Sequence, residues 1–181
     1  MEKSDLELRM YFLVPYNISP IQQAIQAGHA ALKYALEYGK DNPNHPVWDF
    51  IENHETWIIL NGGTTNNTFE IGTGIPLGTL NKCVHDIAEY NASASPKLEI
   101  GYSVFQEPDL NDALTAICLI VDERVFNRED YPDFKDWLWD KGLGKVEYDD
   151  PRYKTFANKY ASEVGKDIAF LKNLLNTKKL A

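Results

Sequence analysis

Residues 19–30 read SPIQQAIQAGHA and follow the apolar run MYFLV of residues 10–14 after a short turn. The apolar run predicts a buried strand, and the longer stretch predicts the start of a helix. Ser19 suits the helix cap, Pro20 suits the first helical position, and Gln22 completes a capping box. A buried strand followed at once by a well-marked helix indicates an α/β fold.

This first helix is predicted from Ser19 to about Tyr38, with Gly39 as the residue that ends it. At 100° per residue the apolar side chains form one face, which comprises Ile21, Ala24, Ile25, Gly28, Leu32, Ala35 and Leu36. A polar stripe along one edge of that face comprises Gln22, Gln26, His29 and Lys33. Polar groups beside the N-terminus of a helix that follows a strand often bind ligands in α/β folds. The stripe is therefore the first candidate site, and a hydrogen-bonded structural role for His29 is the alternative.

The remaining pattern predicts a three-layer mixed sheet of about four strands with helices on both faces. Residues 1–122 form the α/β domain, in which 62–78 are a Gly/Thr/Asn-rich insertion. That insertion, with Asn61 before it, could cradle a phosphate or form a flexible hairpin or lid. Residues 123–181 are charged and aromatic and predict a helical extension packed on the same domain, ending in one helix from about Asp150 to Leu175.

Charge and composition limit the partners. The formal net charge is −9, and residues 1–121 hold 15 acidic and 6 basic side chains, which alone gives −9. Phosphate neutralisation supplies much of nucleic-acid affinity, so this balance disfavours an extended RNA but allows a small ligand. No apolar run is long enough to cross a membrane, and the two cysteines suggest reduced, buried thiols. We expect a cytoplasmic protein, and the aromatic surface of 122–181 would allow a homodimer.

A second candidate site is the turn of residues 107–112, which precedes Thr115. It contains the carboxylates Glu107, Asp109 and Asp112 and the amide of Asn111. Close carboxylates suit acid–base chemistry, whereas a solvated turn is the alternative. The turn lacks the spacing of a known calcium loop, and the histidines lack zinc-ligand spacing, so no metal and no cofactor are expected.

The helix stretch resembles the motif S-K-G-K-x-A-A-Q-x-x-H-A of the type II (archaeal/eukaryotic-type) peptidyl-tRNA hydrolases. The positions that agree are Ser19, Ala24, Gln26, His29 and Ala30. The order of predicted elements over residues 8–122 is also similar. The resemblance implies the fold of that family and points to a small phage-encoded member, which would act in the host cytoplasm.

The departures from the family motif concern charge. The second lysine of the motif falls on Gln22, and the family's aspartate falls on Glu107, or on Asp109 if the gap is placed differently. The family's threonine at the start of the last buried strand falls on Thr115. A glutamine in place of a lysine removes a cation that could meet phosphate. With the acidic balance of residues 1–121, this favours a small nucleotide over a transfer RNA.

The expected function is therefore hydrolysis of a phosphodiester in a cyclic or linear oligonucleotide signal, as in phage counter-defence. His29 is the expected general base or acid, with Glu107 or Asp109 as its carboxylate partner. The ligand-binding residues are expected to be Ser19, Gln22, Gln26, Lys33, Asn61, Asn111, Asp112 and Thr115. Sequestration of a nucleotide without cleavage and peptidyl-tRNA hydrolysis are the two alternatives.

Overall fold

Four strands form one mixed sheet in the structure, a computed structural model that describes residues 6–181. The strands are β1 Leu8–Pro15, β2 Thr56–Gly63, β3 Tyr102–Glu107 and β4 Ala113–Asp122, and their order across the sheet is β2-β1-β4-β3. β1 and β2 are parallel, whereas β3 and β4 are antiparallel. The predicted α/β class and the predicted number of strands are confirmed.

The helices lie between and after these strands. They are α1 Pro20–Tyr34, α2 Pro46–Asp49, α3 Thr79–Ser93, α4 Glu123–Phe126, α5 Phe134–Asp140, α6 Tyr153–Val164 and α7 Lys166–Asn176. A wider π-type turn follows α1 at Ala35–Gly39 and another follows α2 at Phe50–His54. Single 3₁₀ turns occupy Pro96–Leu98 and Pro108–Leu110.

Alternating side chains of β1 pack against two different helices. Met10, Phe12 and Val14 belong to an apolar cluster with Ala27 and Ala30 of α1. On the other side, α3 contacts β1 and β2 and buries Leu80, Cys83 and Ile87. Because successive strand residues point to opposite faces, this alternation places α1 and α3 on opposite faces of the sheet.

The face through which α1 packs differs from the apolar face predicted for it. Its buried side chains are Gln23, Gln26, Ala27, Ala30, Ala31 and Tyr34, whereas Ile21, Ile25, Leu32 and Leu36 are exposed. Three alanines let the helix backbone approach the sheet closely. The buried glutamines are tolerated because both are hydrogen-bonded, Gln23 through its Nε2 to the Pro15 carbonyl at 3.1 Å.

The predicted end of the first helix is also corrected. Regular α-helix stops at Tyr34, and Gly39 lies within the π-type turn rather than in a left-handed cap. A Cβ on Gly39 would lie 2.9 Å from the Trp48 ring, and Trp48 Nε1 donates to the Gly39 carbonyl at 3.2 Å. Close packing of an indole therefore explains this glycine.

The chain divides into two compact units. The first comprises residues up to Val121 together with Lys178–Ala181, and the second comprises Asp122–Thr177. In the first unit, the C-terminal residues return to β2, where Asn61 N–H donates to the Lys179 carbonyl at 2.8 Å. Within the predicted insertion, Phe69 forms an isolated antiparallel bridge with Pro76, as in the hairpin that was one of the alternatives for this segment, and a role in binding phosphate stays a prediction.

The second unit is helical, as its composition predicts. Its core contains Trp137, Leu138, Val146 and Tyr160. The single last helix predicted from about Asp150 to Leu175 is wrong, because Gly165 separates α6 from α7 with a φ of 103°. Only glycine adopts that conformation readily. That residues 123–181 pack on the first domain stays a prediction.

Two further expectations concern membranes and thiols. Within residues 6–181 the structure contains no helix of the length and apolarity needed to cross a membrane. Cys83 and Cys118 are both free and buried, as expected. Burial raises the pKa of each thiol, so neither is an effective nucleophile near neutral pH.

Candidate functional site

A buried glutamine joins the two regions singled out in the sequence. Gln26 of α1 donates from Nε2 to Glu107 Oε2 at 2.8 Å, and its Oε1 accepts from the Thr115 hydroxyl at 2.7 Å. An ionised carboxylate can only accept hydrogen bonds, so the amide nitrogen of Gln26 must face Glu107. The three predicted site residues therefore form one network, here called the Gln26 bridge.

Every second side chain of β3 contacts α1. Ser103 Oγ donates to the Ala30 carbonyl at 2.7 Å, Phe105 stacks on a ring of α1, and Glu107 accepts from Gln26. Alternate residues of a strand share one face, so all three side chains point toward α1. The strand thus runs along the helix and carries Glu107 to the Gln26 bridge.

A β-bulge brings Thr115 to the same place. Phe105 pairs with Ala116 and Gln106 pairs with Leu114, so Thr115 is the extra residue on β4. Thr115 is only 1% exposed, and a bulge can redirect one side chain of a strand. The irregular register therefore supplies the hydroxyl that holds the Gln26 amide.

His29 and Lys33, about one and two turns beyond Gln26 on α1, both contact Phe105. The His29 and Phe105 rings are stacked, with centroids 4.5 Å apart and planes 14° apart. Lys33 Nζ lies 5.1 Å from the Phe105 ring centre. His29 and Lys33 are exposed, whereas Phe105 is half-buried. The flat ring of His29 and the ammonium group of Lys33 are therefore open to a ligand. We call His29, Lys33 and Phe105 the ring platform.

Phe105 is a site residue that the sequence pattern did not single out. The available signal was its spacing, because it precedes Glu107 by two positions and must share the face of that carboxylate in a regular strand. Among residues 6–181, His29 and Glu107 are not joined by a hydrogen bond. The Gln26 bridge and the ring platform are neighbours because both are formed between α1 and β3.

The turn after Glu107 carries the other predicted polar residues. Pro108–Leu110 is a 3₁₀ turn, and Asn111 and Asp112 follow with φ values of 55° and 53°. Asn and Asp are the non-glycine residues that best tolerate this left-handed region. Asp109, Asn111 and Asp112 are exposed beside the end of β3. Their polar groups can therefore meet a ligand bound near Glu107.

The start of α1 has the predicted capping box. Gln22 N–H donates to Ser19 Oγ at 3.3 Å, and Ser19 N–H donates to Gln22 Oε1 at 3.1 Å. Both residues are exposed, and Gln22 lies four positions before Gln26 and seven before His29. The side chain of Gln22 is thus engaged in the cap, and a ligand would have to compete with it.

Asn61 is not brought to this site. It lies on β2, and both β1 and β4 separate that strand from β3. Its Oδ1 accepts from the Gly63 N–H at 2.8 Å, which fixes the bend at the end of β2.

One group of potential metal ligands was not found from the sequence. Ligand atoms of His85, Asp86 and Glu89 on α3 lie within 4.8 Å of one another. Lys82 Nζ lies 2.6 Å from Asp86 Oδ1 and neutralises that carboxylate. The lysine explains how the partly exposed acidic groups coexist, so the group does not by itself indicate a metal site.

No model of a known protein family matches this chain, and no curated protein matches it either.

Proposed function

We propose that this protein is a hydrolase that acts on a small nucleotide-containing ligand and cleaves a phosphodiester in a cyclic or linear oligonucleotide signal. The observation that carries the proposal is the position of the ring platform beside the Gln26 bridge. A stacking surface, an imidazole, an ammonium group and a carboxylate are thereby available on one side of α1.

The ring platform suits a nucleotide in two ways. Stacking of a base on an aromatic side chain is worth about 1–3 kcal/mol and tolerates any base. The ammonium group of Lys33 can pair with a phosphate as a compact charge. Lys33 is one of only six basic residues in residues 1–121, which supports a ligand with few phosphates rather than a long polyanion.

The chemistry requires a proton acceptor and a proton donor. In the proposed reaction, neutral His29 removes a proton from water while the water oxygen attacks phosphorus. The bond from phosphorus to the leaving oxygen breaks, and that oxygen takes a proton from the imidazolium or from solvent. Glu107 stabilises the imidazolium through its charge and orients the attacking water, and Lys33 offsets the charge on the phosphoryl oxygens. Asp109 is the alternative carboxylate.

Sequestration without cleavage is the second candidate function. It is favoured by the engagement of Glu107 with Gln26, because a carboxylate already bound by an amide is a weaker partner for an imidazole. Peptidyl-tRNA hydrolysis is the third. It is favoured by the contact of Gln26 with Thr115, two positions that agree with the family pattern, and with Glu107, which stands where the family has an aspartate.

The test is incubation with a panel of cyclic dinucleotides and short linear oligonucleotides, followed by chromatography of the products. We expect turnover that falls by about 100-fold or more in His29→Ala, since general acid–base catalysis contributes about that much. His85→Ala, which alters a histidine on α3, is the matched control and should keep full activity. Turnover that is unchanged in His29→Ala would contradict the proposed catalytic role.

The alternatives give different results in the same series. Sequestration predicts that intact ligand is recovered after the saturated complex is denatured. A ligand at 100 times its Kd should raise the free energy of unfolding by about 2.7 kcal/mol. Peptidyl-tRNA hydrolysis predicts release of peptide from charged tRNA and binding that weakens steeply with salt. If no nucleotide raises the melting temperature or is cleaved, the proposal fails.

A further inference from the structure

The outward face of α1 is apolar, although none of the described residues of the first unit covers it. Ile21, Ile25, Leu32 and Leu36 are 75%, 50%, 67% and 66% exposed. These four side chains, here called the α1 ridge, follow one stripe along α1 and into the π-type turn that continues it, which holds Leu36. Large aliphatic side chains aligned in this way on a protein surface usually mark an interaction site.

The apolar surface extends beyond the ridge. A groove of about 480 Å³ lies beside it and is lined by residues that include Ala31, Phe50, Ile51 and Trp57. Ile51 and Trp57 are themselves 41% and 45% exposed. The six exposed side chains of ridge and groove present on the order of 600 Å² of apolar surface, the upper end for a monomer. A standard interface buries about 800 Å² per partner, so this patch is large enough to form its core.

The spacing of the ridge is symmetric about its centre. Ile21 and Leu36 are equally distant from the midpoint between Gly28 and His29, and Ile25 and Leu32 are also equally distant from it. If two copies of α1 cross antiparallel at this midpoint, Ile21 meets Leu36 of the other copy and Ile25 meets Leu32. A twofold dimer requires this kind of self-complementary surface, in which residue i meets j and j meets i.

Among residues 6–181, no contact of Gly28 requires a glycine at the centre of the ridge. Apart from its chain neighbours and the helix's own backbone, a Cβ built on it lies more than 4 Å from every described residue, and the backbone of Gly28 is helical. Glycine weakens a helix interior, so an open position would ordinarily favour alanine. A glycine here would favour packing of a second helix across this point, because a residue without a side chain lets two helix backbones approach closely.

Charge also favours a second copy. Each chain carries a net charge of −9, all of it in residues 1–121, so charge opposes contact between the first units of two copies over much of their surface. The segment Pro20–Tyr34 contains no acidic residue, and its single charged side chain is Lys33. Lys33 lies at the edge of the ridge, beside Phe105, and its two copies would be about 13 Å apart along the crossed helices. The ridge is thus a place where two acidic chains can meet without repulsion.

We propose that the protein is a homodimer in which the α1 ridges of two copies pack antiparallel across a twofold axis near Gly28. The sequence predicts a homodimer through the aromatic residues of 122–181, whereas the ridge is a different surface, in the first unit. The proposed dimer does not depend on the proposed function. It places the two ring platforms side by side on the same border of the interface, because the twofold axis that relates two antiparallel helices lies in the plane between them.

Sedimentation of the full chain over a range of concentrations tests the proposal. The native protein should be dimeric, and Ile25→Asp should raise the dimer Kd by about 100-fold or more, as expected for a buried anchor. Ile71→Asp makes the same chemical change at a side chain that is 99% exposed and lies outside the ridge, so it should leave the dimer intact. Because Ile25 is half-exposed, circular dichroism should show an unchanged fold. A monomer at every concentration, or a dimer unaffected by Ile25→Asp, would overturn the proposal.

Disulfide trapping tests the antiparallel register. A mixture of Ile25→Cys and Leu32→Cys proteins should cross-link on oxidation, since these positions face one another in the proposed dimer. Neither variant alone should cross-link, because equal positions would lie about 10 Å apart along the helix axis, beyond the reach of a disulfide. Rapid cross-linking of either variant alone would show a different arrangement and would overturn the register.

Discussion

The side chain of Gln26 lies 2.8 Å from that of Glu107, across 81 positions of sequence, and Gln26 is only 8% exposed. The contact joins the middle of α1 to the end of β3. It holds the proposed catalytic carboxylate close to the helix that carries His29. The geometry of this amide–carboxylate pair also makes its contribution to stability directly testable.

Gln26→Glu should destabilise the protein at neutral pH. The substitution keeps the shape but replaces an N–H donor with a carboxylate oxygen that faces Glu107. A buried charge at position 26 beside the partly buried Glu107, together with a lost hydrogen bond, should lower the free energy of unfolding by about 2 kcal/mol or more. The loss should diminish as pH falls, because one carboxyl then takes a proton and can donate. Urea denaturation at several pH values measures this.

Two controls accompany that prediction. Gln106→Glu places the same change on an exposed residue of β3 and should alter stability by less than about 0.5 kcal/mol. The double variant Gln26→Glu with Glu107→Gln restores one donor and one acceptor, so most of the lost stability should return. If the double variant is no more stable than Gln26→Glu alone, the amide–carboxylate contact does not have the strength assigned to it.

Thr115→Val should show how much the hydroxyl that the β-bulge places beside Gln26 contributes to stability. Valine fills the same space but leaves the Gln26 Oε1 without its hydroxyl donor, which should cost about 1–3 kcal/mol. Thr115→Ser keeps the hydroxyl and loses a methyl group. Thr115→Val should therefore lower the free energy of unfolding much less in a Gln26→Ala protein than in the native protein. Thr115→Ser should lower it by the same amount in both backgrounds. Equal costs of Thr115→Val in both backgrounds would show that the two side chains act independently.

Local features of the fold could be predicted from sequence because they depend on neighbouring residues. Ser19 and Gln22 form the capping box that their spacing predicts. The apolar run of residues 10–14 lies within β1, as predicted. The buried face of α1 could not be predicted from hydrophobicity, since the structure turns Ile25 and Leu32 outward and packs the helix through alanines. Alanine is favoured there because the helix approaches the sheet closely. The position of the sheet cannot be read from the pattern of residues within the helix.

The candidate site shows the same division. The sequence identified both the stripe of α1 and the turn after Glu107, because each is a local cluster of polar residues. Their meeting through Gln26 depends on the sheet order, which places β3 beside β4 at one edge. Phe105 was missed because an aromatic residue in a strand usually packs in the core. Asn61 was included on local composition alone, although β2 lies at the other edge.

Gly165→Ala should destabilise the second unit. The glycine has φ 103° and ψ 137°, a region that side chains avoid, and a Cβ would lie 2.9 Å from Asp167 Oδ1. We expect a loss of about 1–3 kcal/mol, measured by thermal or urea unfolding. Gly142→Ala is the matched control, since its φ of 67° is an ordinary left-handed value and, beyond its chain neighbours, no atom of the part of the chain that the structure describes lies within 4 Å of its Cβ. The control should cost less, and equal losses would contradict the strain assigned to position 165.

His45 should make the stability of the first unit depend on pH. Its Nδ1 accepts from the Val47 N–H at 3.1 Å and caps α2, and the ring stacks on Tyr38. Burial lowers the pKa of His45 below its usual value of about 6.5. The folded state then binds a proton less readily than the unfolded state. The free energy of unfolding should therefore fall as pH drops below about 6.5, and this contribution levels off below the folded pKa.

His45→Asn separates capping from titration. Asparagine is a favoured helix cap and can accept from the same N–H, but it does not titrate. The variant should match the native protein near pH 8 and lose less stability than it as the pH is lowered toward 5. His45→Ala removes both properties, so it should be less stable near pH 8 and should also lack this part of the pH dependence. If His45→Asn follows the native pH profile throughout, protonation of His45 is not the cause, because the cap alone cannot distinguish pH 8 from pH 5.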